Sequence, residues 1–161
     1  TGGNVIWVAE MTDDLLGIKD ETLTECISAV EPWEMVDSKV TEGPSVFKIK
    51  DKYYMIYSAN HTRSHDYAVG YATASSPYGP WEKYSGNPVL RKDSPNADGL
   101  VGTGHGAPFK DKDGKSMYVF HAHQNDSTMY PRTMYIDTEL KIAKDGTLSM
   151  PGSVIHPVVV K

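Results

Sequence analysis

Two ionisable side chains stand in similar settings along this chain. Glu42 lies in Thr41-Glu42-Gly43-Pro44-Ser45-Val46-Phe47, and His105 lies in Gly102-Thr103-Gly104-His105-Gly106-Ala107-Pro108-Phe109. Each segment leads into a strand-like run, a short polar loop and an aromatic-rich return. The returns are Lys52-Tyr53-Tyr54-Met55-Ile56-Tyr57-Ser58 and Ser116-Met117-Tyr118-Val119-Phe120-His121. A carboxylic acid among aromatic rings is pushed toward its protonated form and can then give a proton to a leaving group. A histidine set among glycines sits where the backbone can pass close to a ligand and take positive φ. The repeat places Glu42 and His105 at equivalent addresses, each entering the first strand of its unit. This predicts one shared site where the repeats converge. From local sequence alone, Glu42 reads first as a solvated acid on a turn, and its position at the entry of an inner strand is what raises the functional reading. His105 reads either as a hydrogen-bonded structural residue or as a site residue.

Arg132 opens the third strand of the second unit. It reads either as a surface residue or as a pocket residue that pairs with a carboxylate or holds a sugar hydroxyl. His121 and His123 alternate in one strand and so share a face, but no further Cys, Asp or Glu cluster completes a metal set. His61 and His65 flank Arg63 in a long polar loop. The chain contains no Gly-x-Ser-x-Gly elbow, phosphate loop or dinucleotide fingerprint. Those absences narrow the chemistry toward acid–base work on a neutral polar ligand.

The elements that must position these groups are strands. After Ser58 comes a loop over residues 59–66, then Tyr67-Ala68-Val69-Gly70-Tyr71-Ala72-Thr73, ending in Pro77-Tyr78-Gly79-Pro80-Trp81-Glu82. After His121 the pattern returns as a loop over residues 123–131, then Arg132-Thr133-Met134-Tyr135-Ile136-Asp137 and a turn at Lys144-Asp145-Gly146. β-branched and aromatic runs bounded by Gly, Pro, Asp and Asn predict four short strands per unit. Units of this kind predict an all-β chain built as a β-propeller. The first forty residues enter the template in mid-unit: Asn4-Val5-Ile6-Trp7-Val8-Ala9 matches a third strand. Residues 20–27 are readable as a helical turn, but the surrounding pattern favours strand and loop. About two and a half blades of four-stranded antiparallel sheet cannot close a ring, and blades bury their faces by stacking. The expected completion is an N-terminal half of the propeller or another copy of the chain, because strand edges are otherwise left unpaired.

The net charge is −5 and no basic cluster is present, which argues against a nucleic-acid partner. No apolar run approaches the roughly 20 residues needed to span a bilayer as a helix, so no membrane partner is expected. The single Cys26 cannot form an intrachain disulfide and reads as a small buried residue. Tyr and Trp are plentiful, and most are expected in cross-strand core pairs.

In this order and spacing, Glu42-Gly43-Pro44, residues 52–58, Tyr71-Ala72-Thr73 with Pro77-Tyr78-Gly79-Pro80-Trp81, and residues 102–106 resemble the C-terminal half of a family 43 glycoside hydrolase. The resemblance runs from about Asn4 to Gly146 and implies residues 1–161 to be the C-terminal part of a five-bladed β-propeller domain. It implies an inverting glycosidase of arabinofuranosidase or xylosidase type, acting on plant oligosaccharides or polysaccharides. Such an enzyme is expected to be secreted or periplasmic in a bacterium. By position Glu42 matches the general acid. His105 matches a histidine near the propeller axis that in some members helps hold calcium through water. Arg132 matches a late arginine near the acid. The family's two aspartates belong to N-terminal blades, and no Asp here stands in their motif context. The resemblance therefore implies a site without its base, inactive alone. The alternative is a non-catalytic, carbohydrate-binding β-propeller module.

Overall fold

The computed structural model describes residues 3–95 and 97–158. Residues 1–2, Asn96 and residues 159–161, which include both ends of the expected domain, lie outside the described residues. Strands β1 (Ile6–Val8) and β2 (Thr24–Ile27) form an antiparallel pair. Strands β3 (Thr41–Ile49), β4 (Lys52–Ala59), β5 (Ala68–Ala74) and β6 (Glu82–Lys83) form a meander in that order. The next sheet takes β7 (Gly104–Lys110), β8 (Ser116–Ala122) and β9 (Thr133–Asp137). A separate hairpin of β10 (Lys141–Ile142) and β11 (Leu148–Ser149) follows, and β12 (Val154–Ile155) returns to close the outer edge. The chain is thus a partial β-propeller of one half-blade and two four-stranded blades. The turn at residues 144–146 closes the small hairpin, and the outer strand of the last blade comes later, at Val154–Ile155. Residues 20–27 split into one turn of 3-10 helix, Asp20–Thr22, followed by β2.

The central strand β4 shows how the blades are joined. Successive side chains of a strand point to opposite faces. Tyr54 and Ile56 enter a cluster with Val69, Tyr71, Tyr118 and Phe120, toward the following blade. Met55, Tyr57 and Ala59 enter a second cluster with Ile6, Ile27 and Ala72, toward the half-blade. Both faces of β4 are therefore buried, so its sequence is a continuous apolar and aromatic run instead of an alternating one. Each large side chain buried in this way contributes on the order of 1.5–3 kcal/mol. Aromatic pairs add directional contacts: Tyr71 stacks on Tyr84 at 4.8 Å and Phe47 on Tyr54 at 5.4 Å. Cys26, expected to be buried, is half-buried against the second cluster because β2 is an outer strand.

Both inner hairpins carry the same irregularity. In the first, Glu42 pairs with Ser58 and then Ser45 with Ile56. In the second, Gly104 pairs with His121 and then Ala107 with Val119. Each inner strand thus holds one extra residue, a β-bulge at the same place. The register corrects the expected equivalence. Glu42 corresponds to Gly104, and His105 corresponds to Gly43. Gly43 and His105 both have positive φ, 59° and 52°. The bulge demands a left-handed residue there, a position glycine fills without strain and histidine fills at some cost.

Candidate active site

The same registers line up two further positions. β4 pairs Ala59 with Ala68, and β8 pairs Ala122 with Thr133. Asn60 is therefore equivalent to His123, and Tyr67 to Arg132. Inner-strand entries and third-strand entries from the two blades converge on one patch.

Glu42 is half-buried at the start of β3. Tyr67 donates its hydroxyl hydrogen to Glu42 Oε1 at 2.7 Å. The Tyr67 ring is fully buried. Burial first, and then the hydrogen bond to Glu42, push the Tyr67 hydroxyl far above its ordinary value, so it stays protonated and acts as a donor. A Cβ added to Gly104 would collide with Tyr67 Cε1, so this glycine is required by the close approach of the ring. Arg132 lies over the other region of the ring, its guanidinium carbon 5.3 Å from the ring centre, in a cation–π contact.

His105 is exposed beside Glu42. Its backbone N–H donates to Ser58 Oγ at 2.8 Å. Its Nδ1 lies 3.5 Å from the Tyr67 hydroxyl. A Cβ built on Gly43 would stand 3.2 Å from His105 Nδ1, so the two bulge residues of adjacent blades face each other. Arg132 spends its hydrogen bonds on the Thr62 loop and on the backbone of Gly102 and His121. It donates to Thr62 O at 3.1 Å, Thr62 Oγ1 at 2.9 Å, Gly102 O at 2.9 Å and His121 O at 3.2 Å. Among the described residues these hydrogen-bond partners are neutral oxygens, and Glu42 acts on Arg132 only through its charge. Burial pulls its guanidinium below the ordinary value, with Tyr67 opposing.

His121 and His123 do not act as a pair. β8 ends at Ala122, so His123 lies past the strand and the two rings part. His121 is exposed, with Nδ1 3.4 Å from His105 O. His123 is buried and donates Nε2–H to Thr62 O at 2.8 Å. Burial lowers its pKa below 6.5 against the opposing pull of the Thr62 hydrogen bond, and Arg132 and His65 add to the lowering. Protonating His123 therefore costs more in the folded chain than in the unfolded one. Its stabilising contribution is complete above pH 6.5 and is lost as pH falls through the lowered folded value. His123→Asn, the residue used at the equivalent position 60, will flatten that acid-side loss in a denaturant series from pH 7.5 to 5. An unchanged pH slope would assign the loss to another group.

The site opens on a cleft of about 480 Å³ bounded by Asn4, Ile6, Trp7, Thr41, Glu42 and Gly43. A second cleft, about 430 Å³, lies at the opposite ends of β3 and β7 among Phe47, Ile49, Pro108, Phe109 and Ile142. Its ionisable groups are Lys48 and Lys110, and it holds no carboxylate, so it cannot supply a proton donor of the required kind.

Residues 1–148 match glycosyl hydrolases family 43. The chain belongs to this family. It is 55% identical to an endo-1,4-beta-xylanase structure from Bacteroides thetaiotaomicron, with a TM-score of 0.94 over 100% of this chain and 54% of that one. A thermostable family-43 glycoside hydrolase structure is 38% identical, with a TM-score of 0.82 over 96% of this chain and 49% of that one. A beta-D-galactofuranosidase of Aspergillus niger is 29% identical over 132 residues, 81% of this chain and 34% of its own length. An extracellular exo-alpha-(1->5)-L-arabinofuranosidase of Streptomyces chartreusis is 33% identical over 103 residues, 57% of this chain and 29% of its own length. The chain thus spans about a third of the curated relatives and about half of these family structures. Among the described residues no helix is long and apolar enough to cross a membrane, which says nothing of β-barrels.

The sequence had singled out Glu42, His105 and Arg132, and the fold brings all three to one patch. It had not singled out Tyr67. The available signal was register: Tyr67 stands immediately before a third strand, as Arg132 does in the next unit.

Proposed function

We propose that this chain supplies the acid side of an inverting glycosidase site, acting on plant-type oligosaccharides or polysaccharides of arabinofuranosyl or xylosyl type. Glu42 is the general acid. The observation that carries this reading is the half-buried Glu42 carboxylate at a bulged inner-strand entry, with one oxygen held by the buried Tyr67 hydroxyl. Family membership supports glycoside hydrolysis as the reaction. The xylanase, galactofuranosidase and arabinofuranosidase relatives support a plant-type glycan as substrate.

In this scheme the Glu42 proton passes to the glycosidic oxygen as the C–O bond breaks, and the bonding pair leaves with that oxygen. A water attacks the anomeric carbon from the opposite face and gives its proton to a base. Inversion requires the two carboxyl groups to stand about 6.5–9.5 Å apart. Among the described residues, the contacts of Glu42 and of Tyr67 that holds it bring in Ser58, His105 and Arg132, and none of these is a carboxylate. The base therefore comes from further blades, supplied by another part of a longer polypeptide or by a second copy. Exposed Trp7 on β1, with Leu15 and Leu16 in the β1–β2 loop of the half-blade, fit such a junction. The extracellular relative supports secretion.

Calcium belongs to this reading only as an ion that His105 touches through water. Calcium takes about six to eight oxygen ligands. Among the described residues no three His, Cys, Asp or Glu side chains gather as a metal-holding group.

The chain alone will leave aryl α-L-arabinofuranosides and aryl β-D-xylosides intact, while the completed ring will hydrolyse one of them. Proton NMR in the first minutes will show the product sugar with inverted anomeric configuration. Turnover by the chain alone, in a preparation free of other hydrolases, would locate a base within these residues. Product of retained configuration would overturn inversion. Glycan binding by the completed ring without hydrolysis would make this a binding module.

A further inference from the structure

We infer that Tyr67 is a positioning residue that fixes which oxygen of Glu42 delivers the proton. This rests on Glu42 being the general acid. Tyr67 donates to Oε1 at 2.7 Å, so Oε1 is occupied and Oε2 carries the transferable proton. A carboxylic acid that delivers from one defined oxygen must not rotate about its Cγ–Cδ bond, and one hydrogen bond to a fixed donor prevents this.

The fixity of the donor is visible from every side. The Tyr67 ring is fully buried, and a side chain that is packed and buried keeps one rotamer. Gly104 approaches one part of the ring so closely that no Cβ fits. Arg132 covers the ring from the next blade and is itself tied to four oxygens on three other residues. The chain of support runs from the Thr62 loop through Arg132 and Tyr67 to Glu42. Two other polar groups stand at the phenol: the Ser58 hydroxyl, and His105, whose Nδ1 lies 3.5 Å from the Tyr67 hydroxyl, a longer contact than the bond to Glu42. When the proton has left, Glu42 becomes a carboxylate, and the bond from Tyr67 becomes a bond to a charged acceptor. Such bonds are stronger than neutral ones. The tyrosine thus gains interaction as the reaction proceeds, which is the condition for aiding turnover beyond mere binding.

The test uses Tyr67→Phe in the complete enzyme, alone and combined with Glu42→Ala. Phenylalanine keeps the ring that Arg132 covers and removes only the hydroxyl. Steady-state kinetics are measured on an unactivated oligosaccharide and on a dinitrophenyl glycoside. Tyr67→Phe will lower kcat on the oligosaccharide about ten- to hundredfold, the scale of a hydrogen bond to a charged group. KM will stay within about twofold and the dinitrophenyl rate will fall far less, because that leaving group needs little protonation. In the double variant the tyrosine substitution will cost nothing further, since it acts through Glu42. Equal losses on both substrates, a rise in KM alone, an undiminished loss in the double variant, or no loss at all would each overturn the inference. If Glu42→Ala itself shows no leaving-group dependence, the assignment of the acid fails first, and the two failures are told apart.

Discussion

Glu42→Ala in the complete enzyme will cut turnover of an unactivated oligosaccharide by about 10²–10⁴-fold, the contribution expected of a general acid. The same variant will turn over a dinitrophenyl glycoside at a rate much closer to that of the wild type. The contrast follows from the chemistry of the departing oxygen. A sugar alkoxide is a poor leaving group and must be protonated as the bond breaks. A dinitrophenolate leaves without help. A residue that merely held the inner strand in place would affect both substrates alike. Equal losses would therefore give Glu42 another role, and unchanged rates on both would return it to a solvated acid on a turn. Tyr67, with its hydroxyl on Glu42 Oε1, predicts a direction for the smaller replacement as well. Glu42→Gln keeps an acceptor for that hydroxyl and so preserves the packing of the patch, yet it cannot release a proton. Its oligosaccharide turnover should match that of Glu42→Ala, not that of the wild type.

The parts of this architecture legible in sequence are those written locally. The hairpins at residues 41–59 and 104–122 announce themselves through paired aromatic runs, and the blade count follows from repeating them. β4 was legible as a strand because residues 54–59 are buried on both sides, which imposes an unbroken apolar and small-residue run. The register of the bulge lies one position away from where the local pattern puts it. Matching Glu42-Gly43 to His105-Gly106 follows the glycine after each ionisable residue, whereas the structure counts from Phe47 and Phe109 back to Glu42 and Gly104. Each bulge inserts a residue that no hydrophobic period reports, so local pattern cannot count through it. The last outer strand is hidden in the sequence for a different reason. A two-stranded hairpin interrupts the blade before β12 pairs with β9, and Val154–Ile155 is too short to carry a period. Tyr67 was invisible as a site residue because its partners are distant in sequence: Glu42 lies 25 positions earlier and Arg132 lies in the next blade. In a protein rich in buried tyrosine, one more before a strand carries no mark of its task. Nor did sequence reveal that Arg132 would bond the Thr62 loop, since those contacts depend on how two blades stack.

The second large effect lies away from the chemistry, at the junction of the half-blade with the next blade. Lys83→Met will destabilise the complete enzyme by about 3–5 kcal/mol, the range found when one partner of a buried ion pair is removed. Glu34 is fully buried, and Lys83 Nζ meets its Oε2 at 2.6 Å with only 12% of the lysine side chain exposed. The same carboxylate accepts the Tyr57 hydroxyl at 2.7 Å and the backbone N–H groups of Val30 and Glu31 at 2.9 Å each. Burial and the neighbouring Glu34 push the Tyr57 hydroxyl upward, so it remains a donor. Those neutral donors solvate the carboxylate but do not cancel its charge, and without Lys83 a net charge stays in the core. Glu34→Gln with Lys83→Met removes both charges while keeping an acceptor for Tyr57. The pair should therefore lose less than the sum of the single variants. Urea unfolding with constant slope will measure this, and added salt should change the result little because the pair is shielded from solvent. A Lys83→Met loss below about 0.5 kcal/mol would place the lysine with ordinary surface residues. A double variant as unstable as the sum would show that Glu34 and Lys83 support the blade junction independently, through packing and not through their charges.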